Sequence, residues 1–277
     1  MDSNRYRIFG APEALQKDVE CFIVNGFHDE EGTTIKVFSN GIPGIVFHQN
    51  DGHPAIESIV TQSGRRFSPP TLFLCGPGTE SSAMHFGKGS YGVIQVIFRP
   101  HALKSLFGIN ALSLKDAAVE LYEFSMEDIQ AQWMEAHDGQ EWVTLLTNFL
   151  LDKLTQAKAR DLLIEESLRC IHQCAGRVTV NKLAKHLDLS ERQFERRFGQ
   201  TVGIAPQAYI RVRRFNEALR LMKSRQYGTL TEIAHALNFH DQSHFIRDIK
   251  TFTGVTPKSL AQKVDDFFYN QAGYSYI

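Results

Sequence analysis

Residues 178–206, "VTVNKLAKHLDLSERQFERRFGQTVGIAP", and residues 230–257, "LTEIAHALNFHDQSHFIRDIKTFTGVTP", decide how this chain is read. In the first stretch Leu183, Ala184 and Leu187 recur at the spacing of one helical face, and Phe194 and Phe198 give a second face four residues apart. Ser190 stands where that second helix would begin, with a hydroxyl able to accept from the free amides of a first turn. The pattern predicts a helix, a tight turn and a helix. It then repeats: Ile233, Ala234 and Leu237 follow at an offset of fifty, and after the turn the offset is fifty-one. Ser190 pairs with Asp241, Phe194 with Phe245, Arg196 with Arg247, Phe198 with Ile249, Gly203 with Gly254 and Pro206 with Pro257. The intervening "PQAYIRVRRFNEALRLMKS" carries Tyr209, Val212, Phe215, Leu219 and Met222 at helical spacing, which predicts one helix joining two duplicated units.

A tight helix-turn-helix corner needs a residue of positive φ, a position that suits glycine. Here Asp188 and Asn238 occupy it, two of the residue types that best tolerate the left-handed region. Charge separates along the chain in the same sense as the repeat. Residues 1–157 hold 11 Lys and Arg against 19 Asp and Glu, whereas residues 158–263 hold 19 against 10, so a net charge of −1 hides an acidic half and a basic one. A basic segment of that length is the electrostatic footprint of a polyanion-binding domain.

These stretches, "LAKHLDLSERQFERRF" and "IAHALNFHDQSHFIRDIKTFTGVTP", resemble the DNA-binding domain of AraC-type (AraC/XylS) transcription regulators over residues 158–263, departing at Asn238 and Ile249, where glycine and phenylalanine are more usual. The resemblance implies that the second helix of each unit enters the major groove of double-stranded DNA. With Phe194, Phe198, Phe245 and Ile249 turned inward, Arg192, Arg196, Gln242, Ser243 and Arg247 point outward. The family's base-reading positions carry over to Arg192, Glu195, Arg196, Gln242, Ser243, Ile246 and Arg247. Arginine suits guanine and glutamine suits adenine; Glu195 either accepts from cytosine or pairs with a neighbouring arginine. Arg197, Arg211, Arg213, Arg214, His244 and Lys250 are expected to contact phosphate or to carry solvated charge. Ser190 and Asp241 are the expected helix caps.

Upstream, "TTIKVFS", "GIVFHQ", "AIESIVT", "TLFLC" and "YGVIQVIF" read as strands broken by turn residues, the pattern of a sandwich or small barrel. Helical texture follows, and "FSMEDIQAQWMEAHDGQEWVTLLTNFLLDKL" reads as two amphipathic helices broken near Asp138 and Gly139, able to pack on the barrel or to form a subunit interface. The expected class is α+β, and the resemblance implies a cupin-like β-barrel sensor over residues 1–125, a helical dimerisation or linker region over 126–157 and the DNA-binding domain over 158–263, followed by an acidic aromatic tail over 264–277. The resemblance further implies a small effector in the barrel, a homodimer and contact with RNA polymerase. It identifies no effector.

Rival chemistry is thin. His48, His53, Glu57 and His85 could ligate metal in a cupin-type enzyme fused to a DNA-binding domain, but they lack that fold's usual spacing. Phosphate loops and nucleophile elbows are absent from the sequence, so no enzymatic activity, cofactor or metal is expected. RNA binding is disfavoured because the basic half's aromatics follow core spacing, and a ligand-independent regulator would keep the same strands. Hydrophobic residues make up 43% and charged residues 22%, without an apolar run approaching the roughly 18 residues of a membrane span. The start "MDSNRYRIFG" lacks the pattern of a secretory signal, and four cysteines fit a reduced compartment, so a cytoplasmic location is expected. Cys170 and Cys174 lie one helical turn apart, read as small buried thiols or as a thiol or metal sensor.

Overall fold

A computed structural model of the 277-residue chain describes all residues except 1–4, 115–117, 121–131, 134, 137, 158–159, 263–267, 271–272 and 277. The N-terminal part is built from strands β1 (Arg5–Gly10), β2 (Val19–Asp29), β3 (Thr33–Val37), β4 (Gly44–Gln49), β5 (Ile56–Thr61), β6 (Arg66–Phe67), β7 (Leu72–Cys75), β8 (Ser82–Phe86), β9 (Gly89–Phe98) and β10 (Ala118–Glu120). Two more, β11 (Phe268–Asn270) and β12 (Gly273–Tyr276), come from the far end of the chain. They form two six-stranded antiparallel sheets, ordered β1-β2-β9-β4-β7-β10 and β11-β12-β3-β8-β5-β6. Among the described residues neither sheet closes on itself, so the expected barrel takes the form of two open, facing sheets.

Why β4 and β9 read as nearly continuous apolar runs is now clear: the first sheet is covered on both faces. One face meets the second sheet through Val46, Phe73 and Val93, packed with Ile56, Ile59 and Phe86. The other face carries Phe47, Ile94 and Val96 against helices α1 (Ala102–Phe107) and α2 (Gly139–Thr155). Asp138 caps α2, accepting from the amides of Gln140 and Glu141, so the break expected near Asp138 and Gly139 is a helix start. The buried Trp142, Val143, Leu146, Phe149 and Leu150 of α2 join the core of the first sheet. Of the two possibilities left open for this helix, its apolar stripe packs within the chain; a dimer contact through α2 would use its outward side. The helix expected before it lies largely outside the described residues.

The C-terminal part is helical: α3 (Leu162–Gln173), α4 (Val180–His186), α5 (Glu191–Val202), α6 (Pro206–Ser224), α7 (Leu230–Ala236), α8 (Gln242–Thr253) and α9 (Pro257–Gln262). Helix α6 is the joining helix, and its Tyr209, Val212, Phe215 and Leu219 are wholly buried. Two separate cores form along it. Phe194, Phe198, Leu183 and Leu187 pack with Tyr209 and Ile210 in the first unit. Phe245, Ile249, Ile233 and Leu237 pack with Val212, Phe215 and Leu219 in the second.

The sheet domain is tied to both units. Phe38 from the end of β3 enters the second unit's core, its ring centroid 6.1 Å from that of Phe215. At the start of the helical domain Arg160 reaches back to Asp18, with Nη1 donating to Oδ2 at 2.8 Å, and also pairs with Glu165. Asp18 is 1% exposed and accepts from Ser105 Oγ as well. Burial alone would raise its pKa, but the hydrogen bonds from His101 and Ser105 and the Arg160 charge outweigh burial and hold the carboxyl below its ordinary range. The tail completes the join, since Ser275 of β12 pairs with Val37 of β3 and Tyr276 with Lys36.

Candidate nucleic-acid interface

Each unit turns where the sequence placed its corner. Asp188 and Asn238 both adopt positive φ, 53° and 56°. The second helix of each unit then starts on a side-chain cap. Ser190 accepts from the Gln193 amide, with Gln193 reaching back to the Ser190 amide, and Asp241 accepts from the His244 amide at 2.7 Å. Both helices stop alike, at Gly203 (φ 90°) and Gly254 (φ 76°), before Pro206 and Pro257 open the next helices.

Phe194, Phe198, Phe245 and Ile249 are completely buried, which fixes the rotation of α5 and α8. The opposite face follows from the helical period. Arg192, Glu195 and Arg196 on α5 are exposed, as are Gln242, Ser243, Ile246 and Arg247 on α8. Ile246, 40% exposed, is an apolar side chain left in water on that outward face. All seven expected base-reading residues therefore lie on two exposed helix faces.

The residues expected at phosphate divide. Lys250 is exposed, but Arg197 is engaged bidentately by Asp161, the cap of α3, at 2.7 and 3.0 Å. Arg211 grips Asp248 at 2.7 Å, and Arg214 donates to the Gly176 carbonyl at 2.9 Å while lying over the Phe239 ring. A phosphate contact by any of these three would require giving up an intramolecular partner. Arg213 is half-buried with its Nε unbonded. His244 is also half-buried, edge-on to Phe239 and 3.7 Å from Asp248. The adjacent His240 is exposed and pairs with Asp241, so these two histidines have different neighbours and form no common centre.

A contact that the sequence did not signal lies on the outward stripe of α5. Gly199 and Gly203 continue the line of Arg192 and Arg196, seven residues further along. A Cβ on Gly199 would lie 3.4 Å from the Leu112 side chain, and one on Gly203 only 2.7 Å from the Ala111 carbonyl. The 3-10 turn Ala111–Leu114 of the sheet domain thus sits on the C-terminal half of the face whose N-terminal half bears the arginines. At the matching end of α8, Gln62 donates to the Lys250 carbonyl at 3.4 Å and Lys36 to that of Thr253 at 2.9 Å.

The four possible barrel ligands do not converge. His48 is fully buried, its Nδ1 accepting from the Ala55 and Ile56 amides at 3.0 and 3.1 Å. Burial pushes its pKa down to about 4, with the Pro70 carbonyl pulling weakly the other way. His53 and Glu57 are exposed, and His85 bonds to Thr34 across the β3–β8 pair. These four are not drawn together as ligand atoms among the described residues.

The fold and its exposed paired helices define a protein with a duplicated helix-turn-helix domain behind a two-sheet domain. Residues 183–263 match a family described as a helix-turn-helix domain, and residues 8–120 match a domain of unknown function, DUF6597. The HTH-type transcriptional activator RhaS of Pectobacterium carotovorum subsp. carotovorum (strain PC1) is 34% identical over 83 residues, 30% of this chain and 29% of RhaS. RhaS of Pectobacterium atrosepticum is 35% identical over 78 residues, 28% of each protein. The chain therefore matches less than a third of the length of these relatives. The crystal structure of ToxT from Vibrio cholerae O395 superposes with a TM-score of 0.47 at 13% identity, covering 88% of this chain and 98% of ToxT. Over its C-terminal part this chain is thus similar to a helix-turn-helix domain family and to the corresponding parts of two transcriptional activators, and its N-terminal part matches a separate domain. No helix among the described residues is long and apolar enough to cross a membrane.

Proposed function

We propose that the chain is a transcription regulator that binds specific double-stranded DNA through α5 and α8. The observation that carries this reading is the equivalence of the two exposed faces, Arg192, Glu195 and Arg196 against Ser243, Ile246 and Arg247, with Gln242 one residue ahead of the second set, each face anchored from behind by fully buried side chains. Two arginines at matched positions, Arg196 and Arg247, suit bidentate contact with guanine, and Gln242 suits adenine. Selection of duplexes bound by the full-length protein from a random pool tests the reading. One recurrent motif with two half-elements is expected, and recovery of unenriched sequence would sink it.

Control by a small effector belongs to the same proposal. Asn25 and His48 both pair with Val93 and so share its face, toward the second sheet, and Tyr91 packs in the same cluster. Asn25 Oδ1, His48 Nε2 and Tyr91 OH are buried there without a hydrogen bond of normal geometry, polar atoms that a ligand between the sheets would satisfy. Because Ala111 and Leu112 touch the outward stripe of α5, a ligand that shifts the sheet domain would uncover that helix. The protein acts as a homodimer that recruits RNA polymerase from a cytoplasmic pool. A thermal-shift screen of metabolites tests the effector, with no stabilisation by any compound favouring a ligand-independent regulator.

A further inference from the structure

One cluster of chemistry-bearing side chains lies away from both the reading faces and the sheets. Glu166 and Cys170 are one turn apart on α3, on the same side of that helix, and His186 is the last residue of α4. The carboxylate, thiol and imidazole atoms all lie within 4.8 Å of one another, the one such group of possible metal ligands among the described residues. Glu166 Oε1 is 3.5 Å from Cys170 Sγ and 3.6 Å from His186 Nε2. Around a tetrahedral ion with metal–oxygen and metal–nitrogen bonds of about 2.0 Å and metal–sulfur bonds of about 2.3 Å, neighbouring ligand atoms lie about 3.3–3.5 Å apart. The separations already present are close to those edges.

We propose that Glu166, Cys170 and His186 bind a divalent ion of the zinc class, with water as the fourth ligand. The donor set decides the class. One sulfur, one nitrogen and one oxygen suit a borderline-soft tetrahedral ion, whereas calcium and magnesium take oxygen. As the metal–sulfur bond forms, the Cys170 thiol proton leaves to solvent, and the sulfur supplies the bonding pair without change of oxidation state. Arg169 competes for the same carboxylate, with Nη2 on Oε1 at 2.5 Å and Nε on Oε2 at 2.8 Å. Its side chain is 56% exposed, free to keep Oε2 and release Oε1. The ion would bolt α3 to α4, the supporting helix of the first unit, and so stiffen the platform on which α5 sits. His186, 59% exposed, has the freedom to close on an ion.

Cobalt titration of the untagged full-length protein, reduced with a phosphine, tests the site. The expected result is one equivalent of Co²⁺ giving a thiolate-to-cobalt charge-transfer band in the near ultraviolet, which Zn²⁺ bleaches. Cys170→Ser should abolish the band, Glu166→Gln and His186→Gln should weaken binding by roughly tenfold or more, and Cys174→Ser should keep it. Circular dichroism verifies that each variant is folded, and the surface position of His186 keeps one ligand variant clear of the cores. Absence of the band in the parent, its survival in Cys170→Ser, or equal loss in Cys174→Ser would overturn the proposal.

Discussion

The two helix-turn-helix units share corners, caps, stops and buried anchors, yet they are held differently. In the first, the sheet domain lays Leu112 and Ala111 along the outward stripe of α5, at two glycines that leave room for it. In the second, the position equivalent to Gly199 is Lys250, exposed, and at the end of α8 the sheet domain donates hydrogen bonds to main-chain carbonyls. The support behind each helix also differs. Arg197 of α5 is tied to the half-buried Asp161, whereas α8 carries a carboxylate of its own, Asp248, 1% exposed and gripped by Arg211 from α6. Duplication has kept what makes a helix-turn-helix unit and changed what attaches it. The first unit is the one whose outward helix stripe the sheet domain covers in part, through Leu112 and Ala111.

The largest expected effects test whether the two cores are equivalent. Phe194→Ala and Phe245→Ala empty matched, fully buried sites, and each should cost about 3–5 kcal/mol in denaturant unfolding. A much smaller loss at one would break the symmetry. Acidification comes next. Burial holds His48 near a pKa of about 4. It is neutral in the fold and takes up a proton at an ordinary value near 6.5 once unfolded. Its contribution to stability is therefore fully present above pH 6.5 and is lost as the pH falls from there toward 4, about 3 kcal/mol. Unfolding followed across that range measures the slope, which should diminish in His48→Gln.

Attachment is tested by smaller effects. Asp248→Asn should cost about 2 kcal/mol, since it breaks a pair with one buried and one partly exposed member, while Asp161→Asn, on a more exposed pair, should cost under about 1 kcal/mol. Equal losses would remove the contrast drawn above. Leu112→Asp, at a site 47% exposed, should leave folding nearly unchanged but loosen the sheet domain from Gly199. Affinity for the selected duplex is expected to rise by about 1 kcal/mol, read by fluorescence anisotropy.

What the sequence made legible follows from how local each feature is. The joining helix, both corners and the four inward anchors obey the helical period or a single residue's backbone tolerance, so Asp188, Asn238, Phe194 and Phe245 could be read in order along the chain. Strands β3, β4, β5, β7 and β9 were legible as apolar runs. Strand β2 was not read, although it lies between β1 and β9 in the first sheet, and nor was the short β8. The link from Asp18 to Ser105 and Arg160 joins residues 87 and 142 positions apart, and no local pattern marks it. For the same reason the arginines of α6 read as free charge: nothing near Arg211 in sequence announces Asp248. Nothing in the sequence marked Leu112, because its partner is a glycine, which leaves no pattern of its own. The tail's "DDFFYNQ" gave no sign that the strand after it would pair with β3.

The central claim, that α5 and α8 read base pairs from equivalent faces, is tested most directly by Arg196→Ala and Arg247→Ala measured on the selected operator and on its single-base variants. Each substitution should cost about 1–3 kcal/mol on the parent sequence and relax preference at its own base pairs, in different half-elements. If both variants bind every sequence as the parent protein does, the two helices do not read DNA.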